Sequence, residues 1–334
     1  MKIDRMKMFL DIDISSPPVK IDYRDKVMMT GSCFTEHIGG SLEEMKFRIL
    51  QNPNGIIFDP SSVASSLLSY IDQKQYGEGD LVYLNELWQS WQHHSRFSDM
   101  SREKALEQIN RSQRQAHAFL KEAQWLIITL GTAFSYRLMP GNEPVANCHR
   151  APASFFEKRL MTIEEINIAL DNCLYRVFRF NPDLRVIFTV SPVRHLRDGV
   201  IENNRSKARL LEATHHLARK FDRLYYFPAY ELVIDVLRDY RFYDIDMAHP
   251  NYQATRFVIE KFMEHYVNDE SGALSREVQK IIAARKHKPF HASTEAHKQF
   301  LLLHAEKARA LMEKYPFLDL EEELAYFISA SGRP

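Results

Sequence analysis

Two short stretches hold residue types from which acyl-transfer chemistry could be assembled. The first is Met29-Thr30-Gly31-Ser32-Cys33-Phe34-Thr35-Glu36-His37-Ile38, with a hydroxyl and a thiol directly after a glycine. The apolar run Val27, Met28, Met29 predicts a strand, and Phe34, Ile38, Leu42 and Met45 then recur on one helical face. A strand that turns at once into a helix leaves Ser32 at its carboxyl end, beside the positive end of the helix dipole. Ligands bind at that place in open α/β sheets, and a strand-turn-helix elbow exposes the nucleophile of several hydrolases. The plain alternative is that Ser32 only caps the helix.

The second stretch is Tyr243-Asp244-Ile245-Asp246-Met247-Ala248-His249-Pro250-Asn251, ahead of a helix carrying Ala254, Val258 and Phe262. Asp246 and His249 are three residues apart, so a short loop lets the carboxylate bond the imidazole Nδ1–H. That bond fixes the tautomer and leaves Nε2 free to take a proton from a hydroxyl. The plain alternative is that Asp246 or Asn251 caps the helix, with Pro250 in its first turn and His249 merely packed. The two stretches together are better determined than either alone, because a doubly wound sheet brings such loops to one edge.

The elements that must position these residues can be read from periodicity. Phe47–Leu50 predicts a second strand, and Gln51–Pro60 a turn-rich loop before a helix with Val63, Leu67 and Leu68. Residues 76–100 suggest a hairpin or lid. Its His93-His94 pair would point to opposite faces of a strand, which argues against a shared metal. Ser101–Lys121 is amphipathic, and Trp125–Leu130 reads as a strand buried on both faces. Residues 134–150 fit a second hairpin insertion. A helix through Ile163, Ile166, Leu170, Leu174 and Val177 leads to the strand Leu184–Val190, which ends in Ser191-Pro192-Val193-Arg194-His195. A helix from about Ser206, opened by Asn203–Lys207, precedes a short strand at Leu224–Phe227. Arg194, His195 and Asn203–Lys207 form either caps and a solvated face or a polar wall for a ligand. Alternating strands and helices mean βαβ units and a parallel sheet. Residues 1–26 read as a lead-in with an edge strand. Beyond about residue 270 the chain is helical, with Leu301, Leu302, Ala305, Ala308 and Leu311 on one face and Glu321-Glu322-Glu323 as a solvated helix start.

Composition narrows the partners. The 334 residues carry 44 basic and 44 acidic side chains, which advertises neither nucleic acid nor an anionic membrane. Cys33, Cys148 and Cys173 make no disulfide framework and no zinc spacing. No apolar run approaches the roughly 20 residues that span a bilayer. Residues 1–14 lack the continuous apolar stretch of a signal peptide, so a cytoplasmic location is expected.

Gly31-Ser32-Cys33-Phe34 resembles the signature of the GSCFA family, a branch of the SGNH (GDSL-like) hydrolase superfamily. Asn52-Pro53-Asn54-Gly55, Thr129-Leu130-Gly131-Thr132-Ala133, Ser191–His195 and Asp246–Pro250 are similar to further family stretches, in the same order over roughly residues 25–270. The resemblance implies a three-layer α/β/α sandwich with a short parallel, flavodoxin-like sheet over residues 1–270. Residues 271–334 would be a helical C-terminal extension packed on it. It also implies Ser32 as nucleophile, His249 as general base, Asp246 as its orienting partner, and Gly55 as an N–H donor to the oxyanion. Cys33, though a thiol at a helix start, then reads as a packing residue. In the superfamily Gly131-Thr132 would be followed by an oxyanion-donating Asn; here Ala133 follows, and Thr132, Asn54 and His195 are candidate replacements.

The expected activity is hydrolysis of a small O-acyl ester, such as an acetylated carbohydrate, through an acyl-serine, with no metal and no cofactor. The alternatives are acyl transfer to a glycan hydroxyl, and a non-catalytic carbohydrate- or protein-binding module that retains the serine pocket.

Overall fold

The protein is described by a computed structural model over residues 10–331. Five parallel strands form the central sheet: β1 (Lys26–Gly31), β2 (Arg48–Gln51), β5 (Trp125–Leu130), β9 (Arg185–Val190) and β10 (Leu224–Tyr226). Their order across the sheet is β2-β1-β5-β9-β10, which places the reversal of strand order between β1 and β5. Consecutive residues of β1 face opposite layers, since Val27 and Met29 join one apolar cluster and Met28 the other.

One layer contains α1 (Cys33–Glu44), α7 (Tyr252–Tyr266) and α8 (Asp269–Lys286), and the other α2 (Pro60–Ile71), α3 (Arg102–Glu122), α4 (Ile163–Phe180) and α5 (Val200–Lys220). The result is a three-layer α/β/α sandwich. A hairpin of β3 (Val82–Leu84) and β4 (Leu87–Gln89) lies between α2 and α3, as expected for residues 76–100. The second insertion is larger than a hairpin. β6 (Phe134–Leu138) pairs with β7 (Glu143–Val145) and also with β8 (Phe156–Leu160), whose three central residues are all exposed and show no alternation.

Two further expectations are corrected. α5 begins at Val200 rather than near Ser206, so Asn203–Lys207 lie inside it; Val200 and Ile201 are exposed apolar residues that hide the start. Between residues 10 and 26 only Ile21 bridges another segment, through Val267, instead of forming a strand. Most of residues 1–14, on which the signal-peptide reading rests, lies outside the described residues. After β10, a helical turn α6 (Ala229–Glu231) runs into a π-helix over Leu232–Leu237.

The C-terminal helices α8, α9 (Glu295–Lys314) and α10 (Glu321–Ser331) add Val278, Ile281, Leu301, Ala305, Ala308 and Phe327 to the α1/α7 core. Glu323 is not solvated. It is buried between Lys46 at 3.0 Å and Arg285 at 2.7 Å, tying α10 to the turn after α1. Among the described residues no helix is long and apolar enough to cross a membrane.

Candidate functional site

The chain crosses from β1 to α1 at the point where strand order reverses. Gly31 has φ 143°, and a Cβ there would overlap the carbonyl of Thr129 on β5, so only glycine fits. The Gly31 N–H donates to Asn52 Oδ1 at 2.9 Å, and the Ser32 N–H donates to Thr129 O at 3.1 Å. The elbow is therefore pinned to β5 on one side and to the loop after β2 on the other. Its Oγ accepts the Phe34 N–H at 3.3 Å and caps α1, so the plain reading of this serine is met. Capping uses an oxygen lone pair and leaves the hydroxyl proton free to be donated.

Asn52, which sequence reasoning did not single out, braces this elbow. It is fully buried with φ 45°, and its Nδ2 donates to Glu36 Oε1 at 3.3 Å. Its backbone oxygen accepts from Arg96. The available signal was an Asn in a turn-rich stretch, where αL geometry is tolerated.

The Asp-x-x-His loop lies at the same sheet edge. Asp246 Oδ2 accepts from His249 Nδ1 at 2.6 Å, while Oδ1 accepts the N–H groups of Ala248 and His249 at 2.9 and 3.0 Å. The loop is tied to the segment after β9, since the Arg194 N–H donates to Ala248 O at 3.0 Å. α1 and α7, which follow Ser32 and His249, pack on the same face of the sheet. The two residues thus share an edge and a layer, although no hydrogen bond joins the Ser32 hydroxyl to the His249 ring.

The candidate oxyanion donors separate clearly. Asn54 is turned away into the α2/α3 layer: its N–H donates to Tyr70 Oη at 3.1 Å, its Nδ2 to Ser66 Oγ at 3.3 Å, and its Oδ1 accepts from Gln113 at 3.1 Å. The Gly55 N–H closes a turn onto Asn52 O at 2.7 Å, and a Cβ at this position would overlap His94. Gly55 is required there by packing and by its φ of 82°. Thr132 Oγ1 lies 3.0 Å from Ser206 Oγ. Only His195 has a free atom. Its ring rests on Phe58 at 5.2 Å, and its buried Nε2 has no partner among the described residues. Burial pushes its pKa down to about 4, and the nearby charges of Lys207 and His249 act in the same direction.

Lys207 ends the Asn203–Lys207 stretch, expected to be either caps and a solvated face or a polar wall, and it is not solvated. It is fully buried on α5, and its Nζ donates to Gly131 O and to Ser191 O, each at 2.6 Å. The adjacent Ser206 Oγ accepts the Ala133 N–H at 2.7 Å. Ser206 and Lys207 together fix the loops at the carboxyl ends of β5 and β9. Burial lowers the Lys207 pKa to about 7, offset slightly by Cys33. Cys33 is half-buried, and burial raises its thiol pKa, which disfavours the thiolate despite the helix terminus. Thr129 and Thr189, paired in register on β5 and β9, keep buried hydroxyls without partners among the described residues.

His93 and His94 lie in a turn rather than in a strand, and their side chains still diverge. His93 is buried between Tyr76 and Phe97, with Nδ1 2.9 Å from Ser90 Oγ, while His94 covers Gly55. Among the described residues no three His, Cys, Asp or Glu side chains are grouped to hold a metal ion.

No curated protein matches this chain. The family profile described as "GSCFA family" matches residues 26–262, and that of the "GSCFA domain protein, C-terminal domain" matches residues 278–330. The elbow, the braced loop and the Asp-x-x-His turn all fall within the first match, and the chain belongs to the GSCFA family.

Proposed function

We propose that this GSCFA protein is a cytoplasmic, SGNH-type serine esterase acting on a small O-acyl ester such as an acetylated carbohydrate. The observation that carries this reading is the Asp246–His249 pair, held at 2.6 Å on the sheet edge that also carries the buried Ser32. The Ser32 Oγ attacks the ester carbonyl as His249 Nε2 takes its proton. The tetrahedral intermediate collapses, His249 returns the proton to the leaving alcohol, and water hydrolyses the acyl-serine by the same route. Asp246 keeps the Nδ1–H tautomer throughout.

The oxyanion is held by the Cys33 N–H at the start of α1, whose neighbours Phe34 and Thr35 already donate to Ser32 Oγ and Ser32 O, and by His195. A pKa of about 4 keeps His195 neutral at pH 7, so its Nε2–H tautomer can donate there without adding a buried charge. Transfer of the same acyl group to a glycan hydroxyl differs only in the acceptor.

One observation favours a second reading, a binding module without turnover: the Ser32 hydroxyl and His249 ring are not hydrogen-bonded to each other. Incubation with a fluorophosphonate probe followed by peptide mass spectrometry separates the two. The esterase reading expects an adduct on Ser32 that is lost in His249→Ala. A protein that stays unlabelled after prolonged incubation is a binding module.

A further inference from the structure

The π-helix at Leu232–Leu237 follows from no periodicity in the chain. Its last turn is closed by the Arg238 N–H onto Val233 O at 3.3 Å, which leaves Arg238 left-handed at φ 28°. A non-glycine residue in that region carries strain, and π-turns concentrate at functional sites. Here both face a cleft of about 350 Å³ walled by Arg194, Asp235, Arg238, Asp239, Tyr240 and Tyr243.

This cleft is the back wall of the loop that holds His249. Tyr243 pairs with Pro250, next to His249, and the Arg194 guanidinium donates to Met247 O at 3.2 Å. Tyr243 is only 7% exposed, and its Oη lies beside the Arg194 guanidinium without a well-formed hydrogen bond to it or to any other group among the described residues. Buried polar groups are nearly always paired, so an orphan at a cleft wall points to a ligand. The charges point the same way. Asp239 is engaged by the Arg241 N–H at 2.8 Å and by its Nε at 3.3 Å. Arg194 has no carboxylate partner among the described residues and lies over the Tyr243 and Tyr240 rings at 4.1 and 5.4 Å. Arg238 likewise has no ion pair among the described residues, which leaves two guanidiniums facing the one free carboxylate of Asp235.

We propose that this cleft binds the alcohol half of the substrate, and that this half is a hydroxylated carboxylate of the sugar-acid class. Arg194 and Arg238 take the carboxylate, Tyr243 Oη and Asp235 take ring hydroxyls, and the exposed Tyr240 offers an aromatic face. A neutral sugar would leave the two guanidiniums with Asp235 as their single free counter-charge, whereas a carboxylate supplies the second. The substrate role rests on the esterase reading, whereas the binding itself does not.

The test has a binding arm and a turnover arm. Titration by NMR with glucuronate and with glucose should show glucuronate binding at least about tenfold tighter, the effect of one charge-assisted hydrogen bond. Arg238→Gln and Tyr243→Phe, each checked for an unchanged fold by circular dichroism, should each weaken glucuronate about tenfold. Acetylated methyl glucuronoside should then turn over with a higher kcat/KM than acetylated methyl glucoside. Equal binding of the two sugars, or variants that bind glucuronate like wild type, overturns the assignment. If glucuronate binds selectively while no ester turns over, the cleft stands and the esterase reading fails. If both acetylated sugars turn over equally without selective binding, the esterase reading stands and the cleft assignment fails.

Discussion

Asp246 holds His249 by both ends of its carboxylate, one oxygen on the ring at 2.6 Å and the other on two backbone N–H groups. The backbone bond to His249, then the ring, then Ala248 lower its pKa from 3.8 to about 2. A depressed folded pKa means that this carboxylate supports the fold fully above 3.8 and loses that contribution as pH falls to about 2. The carboxyl-carbon shift of Asp246, followed by NMR, should titrate with a midpoint near 2; a midpoint near 3.8 would mean that the loop bonds do not persist in solution. Asp246→Asn should retain the loop yet lower turnover by about 10⁴, because an amide can present the wrong ring tautomer.

Ser32 has two roles that mutation can separate. Ser32→Ala removes the cap of α1, at a cost of about 1 kcal/mol in chemical denaturation. It should also lower turnover of a short aryl ester by orders of magnitude. His249→Ala should lower turnover as far with little loss of stability, and the double mutant should be scarcely slower than either, since the groups act as a unit. Cys33→Ala should stay within a few-fold of wild type. Turnover that survives in Ser32→Ala but vanishes in Cys33→Ala would move the nucleophile by one residue.

Among the candidate oxyanion donors, the geometry singles out His195. His195→Ala should depress kcat by about 10²–10³ with a small change in KM, because the bond forms mainly in the transition state. Asn54→Ala should instead lower stability, by roughly 1–3 kcal/mol, since it orphans the partners Gln113 and Ser66 inside the fold. Ala133→Asn is not a route to restoring the missing donor. Ala133 is fully buried, and a larger polar side chain there should cost about 1–3 kcal/mol or more in melting experiments. A normal kcat in His195→Ala would leave the hole to backbone groups alone.

Lys207 gives the fold a distinctive pH response. Its pKa falls from 10.5 in the unfolded chain to about 7 in the folded protein, because burial disfavours the ammonium. Between those values the unfolded chain holds a proton that the folded protein has released, so stability rises with pH from about 7 to 10.5. Urea unfolding of wild type and Lys207→Met across that range should show this rise in the difference between the two proteins. Lys207→Met should also destabilise by about 1–3 kcal/mol at pH 9, since the carbonyls of Gly131 and Ser191 lose their donor. A difference that is flat with pH would mean that Lys207 titrates as an exposed lysine does.

The sheet and its helices were legible in the chain because β5 and β9 are buried on both faces and read as unbroken apolar runs. Ser32 and the Asp246–His249 pair were legible for a different reason: their key bonds join residues no more than three positions apart. Local spacing fixes such geometry before any long-range packing exists. The start of α5 was hidden, since Val200 and Ile201 are apolar residues on an exposed face. The rest belongs to partners far away in sequence. Asn54 faces away from the site because Gln113, 59 residues on, takes its amide oxygen. Lys207 is buried because the ends of β5 and β9, 76 and 16 residues before it, offer two carbonyls. Glu323 leaves solvent because Lys46 and Arg285 meet it. No periodicity encodes these choices. A side chain's type decides which bonds it can make, and only the folded chain decides which partner arrives.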